Sequence, residues 1–192
     1  MSTDAFRDDI EKFHAHGIYV PTKTIEMFGD IDSDMKDRVI KNLHTLDSKT
    51  GRITILLSSE GGCVSSGLDI YDAIRASKNH VRIIAYGGIE SMASVVFQAA
   101  DRNMRFMTPN SYMMIHEGEQ ETRGSFKNRK SWEKLIQHQE KTCNDIYLSK
   151  IKDKKPRYSL TKFKDEFLDH DRILLPDEAI EFGLADTIIE VY

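Results

Sequence analysis

Apolar residues follow a helical period at the start of the chain, gather into short solid runs in the middle, and return to a helical period towards the end. Over residues 4–14, Phe6, Ile10 and Phe13 share one side of a short amphipathic helix. "GIYVPTKTIEMFG" reads as extended, with Pro21 limiting regular pairing. Ser33 is placed to cap a helix running to about Leu46, with Met35, Val39, Ile40, Leu43 and Leu46 on its inner face. From residue 52 the pattern changes. "RITILL" (52–57) and "VRIIAY" (81–86) are β-branched runs that predict strands, and the segment between them carries Val64, Leu68, Tyr71 and Ile74 at helical spacing. "SMASVVFQAA" (91–100) predicts another helix, and "MRFM" and "YMMIH" predict strands on either side of the turn "TPNS". Strands that are apolar throughout and alternate with helices imply an α/β fold: a parallel sheet, covered on both faces, with right-handed crossovers. Function in such sheets gathers at the C-terminal ends of the strands.

From Glu117 to about Asp169 the chain is highly polar, yet Trp132, Leu135, Ile136, Gln139, Cys143, Ile146 and Tyr147 form a helical stripe. A long helix that projects from the core and pairs through this stripe fits; so does a helix lying on its own domain. In "LLPDEAIEFGLADTIIEVY", Pro176 stands near a helix start, Gly183 near its end, and a β run follows.

Composition adds limits. A chain of 192 residues suits one domain with a sizeable core. A net charge of −4 gives no general attraction to nucleic acid. No uncharged apolar stretch is long enough to span a membrane, and "MSTDAFRDDIEKF" lacks the features of a signal peptide. Cys63 and Cys143 form neither a disulfide framework nor a metal-binding pattern, which makes a cytoplasmic setting the default.

Three residues at element ends carry candidate chemistry. Ser91 follows the strand 81–86 and opens a helix, His116 ends "YMMI", and Asp171 precedes the last helix. A hydroxyl needs a base within hydrogen-bond reach to act as a nucleophile near neutral pH, and the base needs a group to orient it. Backbone N–H groups at the Gly61–Gly62 turn and at Met92 are placed to face a developing oxyanion. Taken singly, each residue also has an ordinary reading: Ser91 as a helix cap, His116 as a structural histidine, "HDR" as a surface ion-pair segment and the glycine pair as a turn. "GGIESM" is not the G-x-S-x-G elbow of α/β hydrolases.

"LLSSEGGCVSSGLDIYDAI", "GGIESMASVVFQAADRNMRFMTPNSYMMIHEG" and "HDRILLPDEAIEFGLADTIIE" together resemble ClpP, the proteolytic-subunit family of the Clp protease, over roughly residues 25–118 and 165–190. The resemblance implies a ClpP/crotonase-like spiral of ββα units over a single domain, 1–192, with a divergent segment at about 1–24 and a projecting handle helix within about 118–165. It implies a serine endopeptidase with Ser91 as nucleophile, His116 as base, Asp171 as third member, and Gly62 and Met92 as oxyanion donors. It further implies no cofactor or metal, peptide and unfolded-protein substrates, stacked heptameric rings enclosing a chamber, and an AAA+ unfoldase partner. The chain departs from the family at Glu60, where proline is usual, and at Glu90, where a small residue is usual. Asp169 and His170 stand where a Glu-Arg pair is typical, and Thr54 and Leu56 where aromatic residues often line the partner's docking pocket. Two other readings stay open: an inactive or regulatory ClpP-like subunit, and an acyl-CoA enzyme of the crotonase type, which shares the spiral and the oxyanion donors without needing the triad.

Overall fold

The computed structural model describes residues 3–118 and 129–190. The chain begins with α1 (Thr3–His16), continues through β1 (Ile18–Tyr19), a 3₁₀ turn and β2 (Thr24–Phe28), and enters α2 (Ser33–Leu46). Asp32 rather than Ser33 caps α2: its carboxylate accepts from Met35 N at 2.8 Å. Two good capping residues stand side by side here, and the one with extended backbone takes the role.

The centre is β3 (Ile53–Ser59), α3 (Val64–Arg75), β4 (Val81–Glu90) and α4 (Met92–Phe97), followed by β5 (Arg105–Met107) and β6 (Tyr112–Ile115). Strands β2, β3, β4 and β5 pair in parallel, with β8 (Thr187–Ile188) beyond β5. Antiparallel pairs close the ends: β1 on β2, and β7 (Arg172–Leu174) on β6. Ile53, Ile55 and Leu57 of β3 and Ile83 and Ala85 of β4 are fully buried. A two-sided cover therefore explains why these strands read as solid apolar runs.

β4 runs past the expected end at residue 86. Leu57 pairs with Ala85 but Ser59 pairs with Ile89, so β4 holds two extra residues opposite one step of β3. Gly87 sits in this bulge at φ +61°, a conformation that glycine adopts without a Cβ penalty. Beyond the bulge the strand exchanges β5 for β6, pairing Gly88, Ile89 and Glu90 with Tyr112, Met113 and Met114. The glycine pair thus re-aims the strand that delivers Ser91.

α5 (Arg129–Lys154) is a 26-residue helix. Apart from Ile136, residues 131–138 are exposed, Trp132 and Leu135 among them, whereas Asn144, Tyr147, Leu148 and Ile151 are buried. One half of the striped helix therefore packs on the core and the other stands in solvent. Residues 119–128 of the polar segment lie outside the described residues. Pro156 separates α5 from α6 (Leu160–Phe167), which Ser159 caps through Lys162 N. α7 (Pro176–Phe182) starts at Pro176 and ends on Gly183 at φ +79°.

Candidate active site

Ser91 occupies the single residue between β4 and α4, at φ +48° and ψ −121°. A non-glycine residue there costs on the order of 1–3 kcal/mol and persists only where its surroundings hold it. Here they do. Ser91 N donates to Met114 O at 2.9 Å, tying the turn to β6. Ser91 O accepts from Ser94 N at 3.0 Å and from Ser94 Oγ at 2.7 Å. Tyr147, on α5, lies 2.6 Å from Ser94 Oγ through its hydroxyl. Since Ser94 has one hydroxyl proton, a continuous chain runs from Tyr147 O–H to Ser94 Oγ and from Ser94 O–H to Ser91 O. Burial pushes the Tyr147 phenol far above its ordinary pKa, so it remains a neutral donor.

Gly61 makes this turn possible from the other side. A Cβ at Gly61 would lie 2.7 Å from Ser91 Cβ and 2.9 Å from Glu90 O. Gly61 N donates to Ser59 Oγ at 3.0 Å and Cys63 N to Ile31 O at 2.7 Å. Gly62, between them and exposed, makes no such bond among the described residues. The Met92 N–H precedes the intrahelical ladder of α4 and is likewise unspent within it.

The ends of β4 and β6 bring Ser91 and His116 together, with His116 Nε2 2.8 Å from Ser91 Oγ. Asp171 stands just before β7, the antiparallel neighbour of β6, and its Oδ1 lies 3.7 Å from His116 Nδ1. That is ion-pair range but longer than a hydrogen bond. The Asp171 side chain is 71% exposed against 26% for His116. All five residues singled out in the sequence therefore converge on one end of the sheet.

Glu90 and Glu60, the acidic departures, are held differently. Tyr112 O–H donates to Glu90 Oε1 at 2.5 Å, and this bond to a carboxylate raises the Tyr112 pKa. Gly88 leaves room for that contact, since a Cβ there would meet the Tyr112 hydroxyl at 2.8 Å. Glu90 is thus engaged with β6, and Glu60 is exposed. Thr54 is buried and accepts from Arg82 Nε at 2.8 Å. Asp169 and His170 are both exposed.

A cavity of about 210 Å³ opens beside Ser91. Val64 of α3 and Met92 and Val95 of α4 line it together with Ile136, Cys143 and Tyr147 of α5. Burial pushes the Cys143 thiol up to about 11, so it is a neutral wall. Cys63 and Cys143 are both free thiols. Among the described residues, no group of three or more metal-ligating side chains converges, and no helix is long and apolar enough to cross a membrane.

The α/β sheet thus carries a strained serine beside a histidine at its strand ends. The chain matches the Clp protease family model over residues 12–192. It is 33% identical over 166 residues to a protein of Deinococcus radiodurans described as "ATP-dependent Clp protease proteolytic subunit", covering 83% of this chain and 76% of that one. This chain belongs to the Clp protease family.

Proposed function

We propose that the protein is a serine endopeptidase whose single domain, residues 1–192, works within an oligomeric ring chamber. The observation that carries this reading is the 2.8 Å separation of His116 Nε2 and Ser91 Oγ at a strained strand–helix turn. Ser91 Oγ attacks the peptide carbonyl carbon and its proton passes to His116 Nε2. The carbonyl oxygen gains the negative charge and is met by the Gly62 and Met92 N–H groups. The imidazolium returns the proton to the leaving amine as the C–N bond breaks. Water, deprotonated by the same nitrogen, then releases the acyl group and restores Ser91. Asp171 faces the other ring nitrogen and favours the tautomer that leaves Nε2 free to accept. Family membership further supports stacked heptameric rings, unfolded-protein substrates and an AAA+ unfoldase as partner.

Fluorophosphonate labelling, read by intact mass beside native mass spectrometry, tests the chemistry. The expected result is one adduct per subunit in the wild type and none in Ser91→Ala. An assembled particle without adduct would overturn the reading and favour a regulatory subunit.

The bonds above Ser91 make a second expectation. Tyr147→Phe removes the proton that satisfies Ser94, leaving the Ser91 carbonyl less firmly held. Labelling is expected to slow by about tenfold, with kcat rather than KM affected. Adding Ser94→Ala should change little further, because both substitutions break one chain. Fully additive effects in the double variant would show that the two residues act separately.

A further inference from the structure

The loops that lead into β3 and β4 lie at the opposite end of the sheet from Ser91, about 30 Å away along β4. They surround another cavity, of about 370 Å³, lined by Thr50, Gly51, Arg52, Lys78, Asn79 and His80. Lys23 stands beside it: its Nζ lies 3.6 Å from the place a Cβ on Gly51 would take, and it donates to Lys49 O. Lys23, Lys49, Arg52 and Lys78 thus gather at one edge of a chain whose net charge is −4.

None of these four cations has a carboxylate partner among the described residues. The carboxylates tied to the same loops are already committed. Asp47 accepts from Ser77 Oγ at 2.7 Å, Asn79 Nδ2 at 2.9 Å and Lys78 N at 3.3 Å. Asp101 accepts from Val81 N at 3.0 Å and faces His80 Nδ1 at 3.0 Å and an Arg75 nitrogen at 3.5 Å. Lys49 O takes a second bond, from Asn79 Nδ2 at 3.0 Å. Several donors, by contrast, are unspent. The Arg52 guanidinium, the Lys78 ammonium, the Thr50 hydroxyl and the Gly51 N–H make no hydrogen bond among the described residues. Gly51, at φ +140°, has no side chain to cover its own N–H. A concavity whose acceptors are used and whose donors are free suits an anion.

We propose that this cavity binds a phosphoryl group. A carboxylate brings one charge and two oxygens, whereas a phosphoryl group brings nearly two charges and three acceptor oxygens. That matches donors arriving from two separate loops. Arg52 and Lys78 make charge-assisted bonds to it, Thr50 and Gly51 add neutral donors, and Lys23 and Lys49 strengthen the field. No aromatic side chain other than His80 lines the cavity, so a nucleotide base gains no broad stacking platform. The phosphoryl group comes either as free phosphate or as phosphoserine on a peptide. The inference does not depend on Ser91 being a nucleophile.

Isothermal titration calorimetry of the full chain at low salt tests it with three probes: inorganic phosphate, a short peptide bearing one phosphoserine, and the same peptide with glutamate in that place. A phosphoryl probe is expected to bind once per subunit, about tenfold more tightly than the glutamate peptide, and to weaken as salt is raised. Arg52→Ala and Lys78→Ala should each weaken it by about fivefold. Both side chains are exposed, so the fold survives their loss. Lys152→Ala, at an exposed position of α5 outside the cavity, should change nothing. Equal affinity for free phosphate and phosphopeptide would identify the free anion as the ligand, and a clear advantage for the phosphopeptide would identify a protein-borne group; both outcomes support the site. A glutamate peptide that binds as tightly as the phosphopeptide would reduce the site to general charge attraction and overturn the proposal. So would phosphoryl binding that is unchanged in Arg52→Ala and Lys78→Ala, or no saturable binding of either phosphoryl probe.

Discussion

Replacing His116 by alanine is expected to lower kcat for a small fluorogenic peptide by about 10⁴-fold or more, whereas Asp171→Asn should lower it by only about 10- to 100-fold. The two residues have been given linked roles, so the asymmetry needs a physical cause. His116 Nε2 is already at 2.8 Å from Ser91 Oγ, and without it nothing nearby accepts the serine proton. Asp171 is at 3.7 Å from the far nitrogen and 71% exposed, so much of its field is spent in water. An orienting carboxylate that is buried and hydrogen-bonded fixes the imidazole tautomer; one held at this distance biases it only weakly. Steady-state kinetics of both variants across pH 6–9 decides the matter. An Asp171→Asn loss as large as that of His116→Ala would mean that the carboxylate closes onto His116 during turnover.

Asp186→Ala is expected to destabilise the fold by about 3–5 kcal/mol, the usual cost of stripping one partner from a buried ion pair. Arg105 and Asp186 have side-chain exposures of 10% and 12%. Arg105 donates from Nε to Asp186 Oδ2 at 3.1 Å and from a terminal nitrogen to Oδ1 at 2.6 Å. The Arg105 N–H adds a third bond to Oδ2 at 2.9 Å. The other terminal nitrogen reaches Gln98 Oε1 and Gly183 O, both at 2.7 Å. This one guanidinium fastens β5 to the end of α4 and to the turn that leads into β8. Removal of Asp186 would leave it charged and buried without its counter-ion. Calorimetry should show a fall in Tm of about 6–20 °C for a chain of this size. Arg105→Met combined with Asp186→Leu should recover much of the loss, since the desolvation cost then disappears with both charges. A single variant that melts within a degree of wild type would show that water reaches the site.

These two cases also show what the sequence can and cannot disclose. The α/β character and most strands were legible, because burial on both faces leaves solid apolar runs at 53–57 and 81–86. Ser91, His116 and Asp171 were legible as element-end residues, since an element end is visible wherever a period stops. The extension of β4 was not, because a glycine pair signals a turn as readily as a bulge, and only the register against β3 separates them. β7 was hidden in "HDRIL", where three residues are too few to show alternation. Pro156 and Ser159 mark the break between α5 and α6, but the largely polar character of the surrounding segment masked it. Arg105 and Asp186 are 81 positions apart, and Ser94 and Tyr147 53. Each looks ordinary in its own neighbourhood, Tyr147 as one more member of an apolar stripe.

The bulge in β4 has a bearing on length variation. Successive residues of a strand face opposite ways, so parity decides which side chains enter the core. The bulge adds two residues, and Ala85 and Ile89 consequently both remain fully buried. Loss of either Gly87 or Gly88 alone would move Glu90 into the place of Ile89 and turn the serine hydroxyl away from the histidine. Loss of both would preserve facing and keep Ile89 opposite Ser59, but would remove the bulge at which the strand exchanges β5 for β6. Insertions and deletions in this segment are thus constrained to even numbers by facing and to zero by the bulge, which makes the spacing between Ala85 and the serine a stricter requirement than the identity of most residues within it.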